Sequence, residues 1–264
     1  MVEGNKQDMT NLGKSVCAIF FDLDETLLDD NRCMREAVAR TCSTLAKRYP
    51  QIDLIQLEAT YLNISNEWWT NSGSVPRASG SGSSSGRDIR REVWGKAIAS
   101  CGLRHQKLAI EAADLYSKER RATYKSFPEA YDVLSNLRQK FNLGIISNGP
   151  ISVQREKLQI AGLGHFFEVI VVSGELGIGK PEPGIFLKAL ELMRVAPKEA
   201  LHVGDSLTSD ILGAQNVGMY AIWINREKVD KPQDAPTPEL EIGTLNELIP
   251  LLNPLESHEY TNSE

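Results

Sequence analysis

Long apolar runs are missing from this chain of 264 residues. No stretch reaches the roughly 18 consecutive apolar residues read as a membrane-spanning helix. Met1 to Lys14 is polar and lacks the apolar centre of a signal peptide. A cytoplasmic protein with no membrane partner is therefore expected. Cysteine is scarce: Cys17, Cys33, Cys42 and Cys101 are the full complement. They show no metal-ligand spacing and three fall inside strand or helix patterns, so reduced thiols are the reading rather than a disulfide scaffold or a zinc site. Positive charge is short as well. Lys and Arg number 29 against 35 Asp and Glu, a net charge of −6, whereas a dedicated binder of nucleic-acid polymers needs a basic footprint to neutralise phosphates. No nucleic-acid partner is expected, but a small anionic ligand stays open because one local cation can override a negative global field. Asn63-Ile64-Ser65 is formally a glycosylation sequon, yet it lies in a helical pattern and reads as accidental. Nothing specifies an oligomeric state, and a monomer is the simplest case.

What is present is an alternation. Apolar runs of strand length recur at 16–21, 143–146, 167–172, 200–203 and 220–224, with helical patterns near 128–140, 152–161, 183–193 and 208–216 between them. Such alternation implies an α/β fold, a Rossmann-like parallel sheet covered on both faces. Ligands of such sheets bind outside the strand carboxyl ends.

Residues 31–125 break the pattern. Met34, Val38, Thr41, Leu45 and Tyr49 form one helical stripe, and Leu54, Leu57, Tyr61, Ile64 and Trp68 a second. Val93, Ala97 and Cys101 suggest a third helix, and Leu108, Ala112 and Leu115 a fourth. The domains expected are a core of 15–30 with 126–252, an inserted helical unit at 31–125, and polar tails at 1–14 and 253–264. A Ser/Gly tract at 79–86 interrupts the insert; Trp68 and Trp69 precede it, and Arg77 and Arg87 flank it. After Asn225 the chain is Pro-rich as far as Pro238, a surface loop, and a short apolar helix near 245–252 is expected to close the core.

The first strand runs straight into Asp22-Leu23-Asp24-Glu25-Thr26. Unpaired negative charge at a buried strand end is costly, so a cation should stand against Asp22. Mg²⁺ suits the place, because it takes one or two protein carboxylates and completes its octahedron with water and phosphate oxygens. Alone, Asp-x-Asp could merely decorate a turn. Downstream, however, come Ser147-Asn148-Gly149, then Gly179-Lys180-Pro181, then Gly204-Asp205-Ser206 with Asp210 close behind, all at or after strand ends. This ordered set, over about residues 15–225, resembles the haloacid dehalogenase superfamily. Its four motifs are an Asp-x-Asp-x-Thr/Val nucleophile segment, a strand-end Ser/Thr, a Lys, and a Gly-Asp-x-x-x-Asp acidic segment.

The resemblance implies a Mg²⁺-dependent phosphatase acting on a small phosphate ester. Asp22 would be the nucleophile that becomes an aspartyl-phosphate and ligates the metal. Asp24 would protonate the leaving oxygen, later take a proton from water, and offer its carbonyl to the metal. Asp205 would be a further metal ligand, with Asp210 behind it orienting water or Lys180. Ser147 and the amides of Asn148 and Gly149 would cradle the phosphoryl group, whose charge Lys180 offsets. Thr26 would hold the turn through a hydroxyl bond to the backbone. The insert would be a cap that selects the substrate. His202, between Leu201 and Val203, reads as a satisfied core histidine.

Alternatives narrow the choice. Gly174 to Lys180 matches a nucleotide-binding P-loop up to the lysine, but Pro181 follows where a Ser or Thr is needed. Haloacid dehalogenases lack a second aspartate after the nucleophile, since halide leaves without a proton, so Asp24 argues against that chemistry. A phosphomutase keeps both aspartates and stays open. A silent binding module has no reason to keep so costly a charge cluster. Residues 148–225, with Gln154 to Leu158 and Trp223-Ile224-Asn225, look most like the N-acylneuraminate-9-phosphatase and pyrimidine nucleotide 5′-phosphatase branches. The Ser/Gly tract departs from them and leaves the substrate open.

Overall fold

A computed structural model describes residues 15–72, 86–103 and 106–252, with backbone alone for 68–72, 86–87 and 106. The two polar tails, the Ser/Gly tract up to Ser85, and the side chains of Trp68, Trp69, Arg77 and Arg87 lie outside the described residues.

Six parallel strands form one sheet in the order β3-β2-β1-β4-β5-β6. They are β1 (Ala18–Phe21), β2 (Asn142–Ser147), β3 (Val169–Val172), β4 (Ala200–Gly204), β5 (Tyr220–Ile224) and β6 (Leu240–Ile242). Strand β1 is central because its four residues, Ala-Ile-Phe-Phe, are apolar on both faces and fully buried. Ile19 and Phe21 face one layer with Leu143, Ile145, Leu201 and Val203, which packs on α5 (Ala130–Leu137) and α10 (Leu248–Leu252). Ala18 and Phe20 face the other layer, filled by Ile185, Phe186 and Ala189 of α8 (Pro183–Met193). Phe20 fits because its neighbour across the ladder is Gly144, where a Cβ would come within 2.6 Å of the ring.

Two elements differ from the sequence expectation. Strand β6 lies just beyond the segment read as loop, at residues given no element from sequence; three residues are too few for a periodicity to show, and pairing with β5 makes the strand. The helix expected at 208–216 opens instead with a π-turn, Leu207–Ile211, before α9 (Leu212–Asn216). Its cause is local: Asp210 turns back so that its Oδ2 accepts from the Ser206 amide at 3.1 Å. Such widened turns recur at functional sites.

Four helices follow β1: α1 (Asp30–Arg48), α2 (Leu54–Ser72), α3 (Gly86–Ser100) and α4 (Gln106–Thr123). They bury an apolar cluster of their own, with Val38, Leu45, Leu57, Tyr61, Trp94 and Tyr116 among its members. The chain enters and leaves this set through adjacent linkers. The Asp29 amide donates to the Lys125 carbonyl at 3.2 Å and the Phe127 amide to the Leu27 carbonyl at 2.9 Å. Further on, α6 (Ile151–Ile160) follows β2 and α7 (Ser173–Leu176) follows β3.

Candidate active site

Strand order reverses direction at β1, so the ends of β1 and β4 open a crevice into which Asp22 and Asp205 project. Asp22 is fixed there by its amide, which continues the ladder to the Val203 carbonyl at 2.9 Å. Lys180, buried, donates to Asp22 Oδ1 at 2.5 Å and to Asp210 Oδ1 at 2.6 Å. His202 Nε2 lies 2.8 Å from the same Asp210 oxygen. Asp210 is therefore spent on Lys180, His202 and the Ser206 amide. Despite burial, Lys180 and His202 hold its carboxyl below the usual carboxylate range. Burial depresses the His202 imidazole; facing a carboxylate oxygen, Nε2 is the donor, and Nδ1 is buried without a partner. The expected satisfied core histidine is thus satisfied on one side only.

Electrostatics in the crevice call for another cation. Asp22, Asp205 and Asp210 bring carboxylate oxygens within 4.8 Å of one another, against the single ammonium of Lys180. Burial, aided by Asp210 and Asp24 and opposed by Lys180, pushes Asp22 up to about 7. Burial, Asp22 and Asp210 raise Asp205 well above its ordinary value. A divalent ion with oxygen preference fits this donor set, and because Asp210 is already engaged, Asp22 and Asp205 are the carboxylates left to hold it.

Asp24 lies outside that trio, and its carboxylate turns the other way. Lys157 Nζ sits 2.8 Å from both of its oxygens and Gln154 Nε2 2.9 Å from Oδ2. The same Gln154 amide donates to Ser147 Oγ at 2.7 Å. With that lone pair taken, the Ser147 hydroxyl hydrogen is free to point at an anion. Lys157 also reaches Asp30 at 3.1 Å, and Asp30 accepts from Arg120 Nη2 at 2.6 Å. Gln154, Lys157, Asp30 and Arg120 were assigned no role by sequence reasoning. The available signal was that Gln154 and Lys157, one turn apart on α6, share the helix's buried face with Leu158.

Two expected roles change, those of Thr26 and Gly149, and Asn148 gains a use for its side chain. Thr26 does not hold its turn through the hydroxyl, which is buried with no partner. Backbone bonds from Leu27 and Leu28 to the Leu23 carbonyl close it instead, and Arg226 clamps the carbonyls of Glu25 and Thr26. Gly149 does not offer its amide to an anion, because the Ser173 hydroxyl accepts it at 2.9 Å. Asn148 uses its side chain on the protein: Oδ1 accepts from the Lys180 amide at 2.8 Å and Nδ2 donates to the Lys180 carbonyl at 3.0 Å. That pair of bonds aims Lys180 into the crevice.

Above these groups lies a cleft of about 1530 Å³, walled on one side by the strand ends with Asp24, Asn148 and Asp205 and on the other by α1 to α4 with Tyr61, Arg90 and Tyr116. Fold and site together define a hydrolase class, and the chain belongs to the haloacid dehalogenase-like hydrolase family, whose profile matches residues 16–218. Among curated relatives, human N-acylneuraminate-9-phosphatase is 28% identical over 246 residues, covering 91% of this chain and 95% of that protein. Glyceraldehyde 3-phosphate phosphatase of Methanopyrus kandleri is 30% identical, covering 90% and 97%. Phosphoserine phosphatase of Thermus thermophilus is 38% identical, but over only 61% of this chain and 64% of that one. Among solved structures, the HAD-hydrolase YfnB from Bacillus subtilis, bound to magnesium, superposes with a TM-score of 0.71 at 25% identity, covering 90% and 99%. The 2-haloacid dehalogenase of Pseudomonas syringae pv. Tomato gives 0.64 at 30%, covering 90% and 98%.

Proposed function

We propose that the chain is a Mg²⁺-dependent phosphomonoesterase that hydrolyses a small phosphorylated metabolite, a sugar phosphate or a nucleoside monophosphate, through an aspartyl-phosphate on Asp22. The observation that carries the reading is Asp24: a carboxylate at the cleft, tied through Gln154 to Ser147, beside the crevice that holds Asp22. A phosphate ester's alkoxide needs a proton and a halide does not, so Asp24 favours the phosphatase relatives over the dehalogenase neighbour.

In the first half-reaction an Asp22 oxygen attacks phosphorus, the ester P–O bond breaks, and Asp24, protonated and turned from Lys157 toward the departing oxygen, delivers its proton to it. In the second, water attacks the phosphorus of the aspartyl-phosphate, its proton passes to Asp24, and the Asp22–phosphorus bond breaks. Lys180, aimed by Asn148, offsets phosphoryl charge throughout, and the Ser147 hydroxyl donates to a phosphoryl oxygen. Asp22, Asp205 and the Asp24 carbonyl would hold Mg²⁺, which when bound supplies further neutralisation of the phosphoryl oxygens. Residues 31–125 act as the cap over a core of 15–30 and 126–252.

Replacing Asp22 by Asn tests the assignment, since the amide is isosteric but a poor nucleophile. With Mg²⁺ and p-nitrophenyl phosphate, single-turnover phosphate release should fall by about three orders of magnitude or more while circular dichroism is unchanged. Near wild-type release from a folded D22N protein would remove the nucleophile from the reading.

A further inference from the structure

Charges lining the cleft are unequally matched. Lys157 stands against Asp24 and Asp30, and Arg120 gives Nη2 to Asp30 and Nη1 to the Asp30 carbonyl. These two cations meet two carboxylates, while on α1 Arg32 lies 3.9 Å from Asp29 and Arg35 is exposed to solvent. Arg90, on α3, lines the same cleft, and no carboxylate among the described residues lies within ion-pair distance of it. Residues 68–87 add no Asp or Glu in sequence. The other acids of the cleft, Glu25, Asp29, Asp205 and Glu227, belong to the core side.

The guanidinium is nevertheless held in place. Nη1 donates to Ser117 Oγ at 3.0 Å, Nη2 lies 3.4 Å from the Tyr124 hydroxyl, and Cζ sits 5.8 Å from the centre of the Tyr116 ring. Ser117 commits its own hydrogen to the Ala113 carbonyl at 2.7 Å. Tyr124 accepts from Arg90 and so keeps its hydrogen for a second acceptor. Every partner of Arg90 is neutral, and the positive charge, half removed from water, lacks its counterion. A fixed guanidinium fork beside a phenol donor matches the planar, two-oxygen geometry of a carboxylate.

The geometry points to an anion subsite at Arg90 and Tyr124 that takes a carboxylate on the leaving-group part of the phosphate ester, making phosphorylated hydroxy acids or sugar acids the preferred substrates. This rests on the reading that the phosphoryl group is bound at the Asp22 end of the cleft. Matched pairs test it: phosphoglycerate against glycerol phosphate, and phosphogluconate against glucitol phosphate, each with the phosphate on a terminal carbon. In the wild-type protein the acid should exceed its alcohol in kcat/KM by about tenfold or more in at least one pair, the value of one charge-assisted hydrogen-bonded contact. Arg90→Gln should shrink that ratio toward unity, and Tyr124→Phe, which keeps the ring, should shrink it partly. Equal rates in both pairs, or a ratio that survives Arg90→Gln, would overturn the subsite. Should R90Q fail to fold, the ratio in Y124F decides. If no ester is hydrolysed, p-nitrophenyl phosphate included, the phosphatase reading fails on its own. Calorimetric binding of the same pairs to wild-type and variant protein then decides the subsite, with tighter binding of the acids expected and equal binding overturning it.

Discussion

Gly204 is bare because Asp210 fills the space in front of it: a Cβ there would stand 2.2 Å from the Asp210 carboxyl carbon. The glycine of the Gly-Asp-x-x-x-Asp segment thus has a packing reason as well as a place in a motif. Gly204→Ala should push Asp210 away from Lys180 and His202. Overpacking of this kind costs about 1–3 kcal/mol, a fall in Tm of roughly 2–12 °C at this size, and phosphate release should fall with it. Scanning calorimetry and a phosphatase assay check both; an alanine variant as stable and active as wild type would show that Asp210 has room to move. At this scale the acids, Ser147 and Lys180 were legible from type and spacing, whereas the partners of Gly149 and Asn148 and the unpartnered hydroxyl of Thr26 were not. Nothing local in Gly149 announces that Ser173, after another strand, takes its amide.

Helix α6 and the ends of α1 and α4 are joined by one chain of charges, Asp24–Lys157–Asp30–Arg120. It ties the core to the two linkers of the helical set. Burial opposes ionisation of Asp30, but Lys157 and Arg120 hold its carboxyl below the ordinary value. A folded-state pKa below the unfolded one contributes stability that is present above the unfolded value, about 3.9 for Asp, and is lost as pH falls through the folded one. Asp30→Asn should therefore lower stability near pH 7 by roughly 2–4 kcal/mol, less than a fully buried pair because Asp30 keeps some contact with water. The gap from wild type should close as pH drops below about 4. Thermal melts of both proteins across that range provide the check, and a gap independent of pH would mean that the Asp30 charge is not what holds the linkers.

For the whole molecule, the reversal of strand order at β1 and β4 brings Asp22 and Asp205 to one crevice, and three carboxylates there face one lysine. Any ion that relieves this repulsion in the folded state alone stabilises it by mass action. At about 100 times its Kd, Mg²⁺ should raise Tm by roughly 5–10 °C, and Asp205→Asn should remove most of the rise. Ca²⁺ should also stabilise the fold yet inhibit turnover, since it takes more oxygen ligands at longer distance and can engage both oxygens of Asp22. Melts and phosphate release measured in parallel separate the two effects; full activity after chelation would exclude metal dependence. Among the described residues no helix is long and apolar enough to cross a membrane, in keeping with the absence of long apolar runs.

By itself the sequence determined the alternation of strands and helices, the helical stripes between β1 and β2, and the order of the four motifs along the chain. Each of these is written in residues that are near neighbours, through hydrophobic period, chain breakers and short spacings. Only the tertiary structure decided which side chains share a site. Lys157 meets Asp24 across a separation of 133 residues and Lys180 meets Asp22 across 158, and the three-residue β6 exists because β5 offers it a ladder. A buried amide or ammonium is placed by the competition among all donors and acceptors brought into reach by packing, and that competition has no signature in a local stretch of chain.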